Sequence, residues 1–167
     1  MKHIPTTYFS IVHLHTSPYS ILMVTFALKY DIMITSKVEY LGNFRTEATH
    51  VQSGTKIITD APLDNNGKGE SFSPTDLVAT AYACCMFTII GIFCESHGLK
   101  FDKGLAEITK VMASSPRRIS EIHLQLDMRG NGWNAKEQDK VARAAKACPL
   151  AHSVHENILI VIDFTFE

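Results

Sequence analysis

The sequence predicts an α+β fold, and three observations carry that prediction. Short segments with alternating apolar and polar residues, separated by Gly, Asn, Ser and Pro, mark strands on both sides of residue 75. The stretch Leu77–Cys94 holds no charged residue and follows a strong helix-start signal. The element order β-β-β-α-β-β-α-β groups the strands around the first helix, whereas a parallel α/β fold would alternate strand with helix.

Each element follows from local chemistry. Ser36–Tyr40 is a short strand, and Leu41-Gly42-Asn43 a turn. Arg45–Gln52 and Thr55–Thr59 form a hairpin closed by Ser53-Gly54. A polar loop, Asp64–Glu70, then leads to Ser73-Pro74-Thr75-Asp76. Ser73 is a good N-cap, Pro74 suits the first helical position, and Asp76 can complete a capping box. The helix then runs from Leu77 to about His97, with Gly98 as its stop. Leu105–Ala113 and Arg118–Met128 are two long strands. Asn134 caps a second helix over Ala135–Ala147, which Pro149 ends. Val154–Asn157 is a turn or a short helix, and Ile158–Phe166 a final apolar strand.

A chain of 167 residues suits one domain with a substantial core. Sixteen Lys+Arg oppose seventeen Asp+Glu, so no basic face invites nucleic acid. Leu77–Cys94 is also long enough to raise a membrane span. Its threonines, its small residues and the strands around it favour the core of a soluble domain instead. Residues 1–32 are rich in Tyr, Phe and His and carry the apolar run 21–28, about half of the ~20 residues a span needs. With one lysine ahead of that run and no A-x-A site after it, they make a poor signal peptide. We read residues 1–32 as an extension outside the fold and residues 33–167 as the domain.

The four cysteines are Cys84, Cys85, Cys94 and Cys148. Neighbouring Cα atoms lie ~3.8 Å apart, below the ~4.4 Å minimum of a disulfide, so Cys84 and Cys85 cannot bridge each other within a helix. Free thiols fit a reducing, cytoplasmic compartment. The eight histidines are scattered without metal-ligand spacing, and neither a metal nor a cofactor is expected. By itself each cysteine reads as a small buried filler. His50 and His123 read as exposed and Trp133 as a packing anchor.

The string from Glu70 through Ser73-Pro74-Thr75-Asp76-Leu77 to Tyr82-Ala83-Cys84-Cys85 resembles the central-helix motif of the OsmC/Ohr family. The likeness continues in Lys110-Val111-Met112, in Pro116-Arg117-Arg118-Ile119 and in Cys148-Pro149-Leu150-Ala151-His152-Ser153-Val154-His155. It covers about residues 36–167 and none of 1–32. The resemblance implies an OsmC-like fold: an antiparallel sheet around a long central helix, in an intertwined homodimer. It also implies reduction of organic hydroperoxides and H2O2, with Cys85 as the attacking thiolate, Cys148 as the resolving thiol and an external dithiol as reductant.

A thiolate needs a cation, and Cys85 lies too far into its helix for the dipole to serve. The resemblance points to Arg45, with Arg117 and Arg118 as alternatives. Tyr82, three residues before Cys85, is expected beside the substrate, and Thr75 and Glu70 are expected there with it. In one respect the chain departs from the peroxide-reducing pattern. Those members carry a glutamate ten residues before the helix cysteine, where this chain has Thr75. Asp76 faces away from Cys85 and reads as a cap, while Glu70 could reach in. Two other readings stand beside the peroxidase. One is a redox-sensing or ligand-binding module of the same fold, and the other is a membrane-anchored structural protein.

Overall fold

The computed structural model describes residues 33–167, so the reading of 1–32 lies outside the described residues. Six strands and two helices follow in order: β1 Ser36–Gly42, β2 Arg45–His50, β3 Lys56–Thr59, α1 Pro74–Ser96, β4 Leu105–Ser114, β5 Arg117–Asp127, α2 Ala135–Lys146 and β6 Leu159–Thr165. Short 3-10 turns occupy Leu63–Asn65 and Pro149–His152. The second follows α2 directly, because Pro149 fixes the backbone there, and the turn expected at Val154–Asn157 forms after it, with Ile158 N–H donating to His155 O at 3.0 Å.

The strands divide into two three-stranded sheets, β1-β2-β3 and β4-β5-β6. The first is wholly antiparallel, while β6 runs parallel to β5. A parallel neighbour needs a crossover, and α2 provides it. The β2–β3 hairpin closes through His50 N–H to Thr55 O at 2.9 Å, with Gly54 at φ +73° where a side chain would be strained.

The start of α1 is as its residues dictate. Asp76 N–H donates to Ser73 Oγ at 3.1 Å and Ser73 N–H to Asp76 Oδ2 at 2.8 Å, which satisfies two of the orphan amides of the helix end. One flank of α1 is core: Ala79, Tyr82, Ala83, Met86, Ile90 and Cys94 are buried. They pack with Ile122, Leu124 and Leu126 of β5 and Val141 of α2. Trp133 is buried, and its Nε1–H donates to Lys100 O at 2.9 Å.

The opposite flank of α1 is open in the single chain. Val78, Ala81, Cys84, Thr88 and Ile92 recur at helical spacing and are exposed. So are Val38, Tyr40 and Leu41 of β1, Phe44 in the next turn, and Ile57 of β3. The long central helix is therefore half buried, not covered all round. By length and composition α1 is apolar enough to cross a membrane.

Candidate functional site

Cys148 follows the last residues of α2 and precedes the 3-10 turn, and its side chain is fully buried. Cys85 lies half-buried on α1, packed against the cluster that holds Cys148 and near enough to perturb its thiol. Burial pushes the Cys148 thiol up from its ordinary range. The Ala151 N–H opposes that shift, and the hydrogen bond and charge of Cys85 add to it. Both thiols are free. Tyr82 is buried beside them, its phenol raised first by burial and then by the charges of Cys148 and Cys85. Two thiols distant in sequence are thus brought near each other and near a phenol.

The other cysteines stay apart from this pair. Cys94 is buried, and burial alone raises its thiol, which fits an inert core residue. Cys84, expected to be packing, is exposed on the open flank of α1.

A second cluster gathers at the other end of α1. Arg45 Nη2 donates to Asp60 Oδ2 at 3.0 Å and to Glu70 Oε2 at 2.5 Å. Glu70 N–H also donates to Asp60 Oδ2, at 3.1 Å. The loop that carries Glu70 closes tightly. Gly69 N–H donates to Ala61 O at 3.2 Å, and any Cβ on Gly67 would overlap the Ala61 backbone. Glycine at 67 is therefore required by the approach of the two backbones. Glu70 does reach in, and it pairs with Arg45, as the sequence allowed for the carboxylate absent at Thr75.

Within one chain, then, Arg45 is not brought to Cys85. Helix rise of 1.5 Å per residue places Cys85 about 18 Å along α1 from the N-cap. Nor do the expected substrate residues share one cleft. Glu70 lines an opening of about 740 Å³ with Phe72, Ala79, Thr80 and Lys110. Thr75 lines another of about 500 Å³ with Arg118, Ile119 and His155. Tyr82 lines a third with Lys146, Ile160 and Ile162. A single chain therefore leaves the expected site in pieces. Of the alternative cations, Arg117 pairs with Asp64 at 3.0 Å and Arg118 donates to Ile119 O at 3.0 Å.

Two charged residues escaped the sequence reading. Asp60 follows β3 within Asp60-Ala61-Pro62, and nothing local marks it as a partner of Arg45. Lys110 reaches inward from β4. Its Nζ donates to Asp76 Oδ1 at 2.6 Å and Thr75 Oγ1 at 2.8 Å. The signal for it was parity: Lys110 shares the inward face with Ala106, Ile108 and Met112, and its cross-strand partner Ile122 is fully buried. Thr75, where a glutamate would stand in the peroxide-reducing pattern, is thus held by a lysine.

Asp76 has a consequence for acid stability. Burial alone would raise its carboxyl, but the Lys110 ammonium and the Ser73 hydrogen bonds outweigh burial and hold it below the usual range. A depressed folded-state pKa contributes stability above the unfolded value of ~3.9, and that stability is lost as pH falls through the folded one. Asp76→Asn is expected to lower the thermal midpoint by about 3 °C at pH 7. The gap to wild type closes below about pH 4. Calorimetry across pH checks this; a gap that widens in acid contradicts it.

Comparison with known proteins places this geometry. The family model described as OsmC-like protein matches residues 67–163. The chain belongs to the OsmC-like family. A solved protein from Psychrobacter arcticus 273-4, described as an osmotic stress induced and detoxification response protein, is 46% identical. The match covers 83% of this chain and 100% of that one, with TM-score 0.77. The fold alone is shared with more distant structures. The organic hydroperoxide resistance protein OsmC from Legionella pneumophila is 18% identical over 80% of this chain and 98% of its own, TM-score 0.61. OhrB of Bacillus subtilis, also an organic hydroperoxide resistance protein, is 16% identical over 79% and 98%, TM-score 0.56. A search of curated proteins finds no match. The OsmC-like fold accounts for the α+β layout.

Proposed function

We propose that the chain is a cysteine-dependent peroxidase that reduces organic hydroperoxides, and H2O2, and works as a homodimer. One observation carries the reading: Cys85 and Cys148, on different elements, share one core cluster, close enough for Cys85 to perturb the Cys148 thiol. The Cys85 thiolate attacks the distal oxygen of RO–OH, the O–O bond breaks, and RO⁻ takes a proton to leave as ROH. Cys85 becomes a sulfenic acid. The Cys148 sulfur then bonds to the Cys85 sulfur and the hydroxyl leaves as water. An external dithiol reduces the disulfide by exchange, becoming a disulfide itself. Both cysteines must start reduced, which suits the cytoplasm. The names of the solved relatives, two of them organic hydroperoxide resistance proteins, support the same substrate class.

The homodimer answers the two open surfaces and the separated pieces together. A second copy laid antiparallel along α1 would cover Val78, Ala81, Thr88 and Ile92. It would also bring the N-terminal end of one α1, with Arg45, toward Cys85 of the other. The cation for the thiolate then comes across the interface. A second reading, redox sensing without efficient turnover, is favoured by Thr75, which gives this helix position no carboxylate and is occupied by Lys110.

Mass mapping after one equivalent of cumene hydroperoxide tests the chemistry. A Cys85–Cys148 link is expected. A link through the exposed Cys84, or none, contradicts the assignment. The link without sustained turnover under excess dithiol selects the sensor.

A further inference from the structure

Asp60 is buried to 1% exposure, yet it carries a carboxylate. All its side-chain hydrogen bonds converge on Oδ2; among the described residues Oδ1 has no partner. A buried carboxylate oxygen left unsatisfied is costly, so such a residue calls for an explanation. Its one side-chain partner is Arg45, the cation that the proposed function needs. Both Asp60 and Glu70 engage Arg45 through Nη2, which leaves Nη1 and Nε without a hydrogen-bond partner among the described residues. An arginine held by one corner presents its remaining N–H groups in a fixed direction.

Glu70 and Asp60 are not equal in this. In the single chain the Glu70 side chain is 56% exposed, and an exposed ion pair holds weakly against water. Asp60 is fixed by burial and by the Glu70 amide, so it alone can fix the guanidinium. We propose that Asp60 is the positioning residue that aims the free N–H groups of Arg45 at the Cys85 thiolate of the second copy. This rests on the reading that Arg45 serves Cys85 across a dimer. The Glu70 amide, foremost, and Arg45 keep the Asp60 carboxyl below its usual range, so it is ionised wherever the thiolate forms.

Two effects of the Asp60 charge oppose each other, and this makes the idea testable. Its negative field disfavours a nearby thiolate, but a field weakens with distance. The aimed hydrogen bond acts at contact. If aiming dominates, removing the charge hinders the thiolate; if the field dominates, removal helps it.

The experiment is the pH dependence of Cys85 alkylation by iodoacetamide in the full-length dimer. A Cys84→Ala background removes the exposed neighbour, and mass spectrometry reads the Cys85 peptide. Alkylation follows the thiolate fraction. Asp60→Asn is expected to raise the midpoint by about one pH unit, a roughly tenfold slower reaction below the midpoint. Glu70→Gln is expected to move it by less than about a third of that. Arg45→Met is the control for the underlying reading. If it leaves the midpoint unchanged, Arg45 does not serve Cys85 and the parent reading falls. If it shifts the midpoint while Asp60→Asn leaves it unchanged or lowers it, only the Asp60 inference is overturned. A Glu70→Gln shift as large as that of Asp60→Asn also overturns it. Should Asp60→Asn fail to fold, nitrogen NMR of Arg45 in the wild-type protein decides: slow rotation about Cζ–Nε is expected, and free rotation overturns the proposal.

Discussion

Cys85→Ser is expected to cut dithiol-dependent reduction of cumene hydroperoxide by about a thousandfold or more, because it removes the atom that forms the covalent bond. A serine hydroxyl in the same place has no comparable nucleophilicity at neutral pH. Cys148→Ser is expected to behave differently. Cys85 can still be oxidised, so each subunit releases one equivalent of alcohol and then stalls with a sulfenic acid open to further oxidation. Alcohol release, followed in a burst and then in the steady state, separates the two variants. If Cys85→Ser turns over like wild type, the thiol chemistry assigned here does not exist in this protein. If both variants lose the burst, Cys148 takes part in the first step and is not merely the resolving thiol.

The second large effect concerns the open flank of α1. Ile92 is 58% exposed in the single chain and shares a stripe with Val78, Ala81 and Thr88. In the proposed dimer that stripe is the seam. Ile92→Glu would put an unpaired carboxylate there, at a cost of about 3 kcal/mol or more. That corresponds to a roughly hundredfold weaker association. Sedimentation equilibrium is expected to show a dimer for wild type and a monomer for Ile92→Glu at low micromolar concentration. Peroxide turnover is expected to fall with it, because the subunits lose each other's Arg45. A wild-type monomer, or an Ile92→Glu dimer of unchanged affinity, would remove α1 as the seam. A monomeric variant whose Cys85 alkylates with an unchanged pH midpoint would show that Arg45 acts within one chain or not at all.

Much of this site was legible from residues close together in sequence. The Ser73–Asp76 capping box needs only four consecutive residues, and it forms as read. The helix after it, the β2–β3 hairpin and the second helix follow from patterns confined to a few turns. The motif around Cys85 and that around Cys148 pointed to an OsmC-like fold for the same reason: each is a contiguous string.

What stayed hidden depends on pairings that local pattern does not encode. An apolar strand looks the same whether its neighbour runs parallel or antiparallel, so neither the direction of β6 nor the split into two sheets could be read. Lys110 was quoted within a motif, but its role required knowing that its face of β4 turns toward the start of α1. Asp60 looked like any polar residue closing a strand.

By itself the sequence determined the elements, their order and the presence of two well-placed cysteines, because hydrogen bonding and side-chain periodicity act over a few residues. Tertiary structure alone decided which distant groups come near each other: Cys85 with Cys148, Arg45 with Asp60, Lys110 with Asp76. Burial makes those encounters matter, since a charge or thiol removed from water depends on whichever partner the fold supplies.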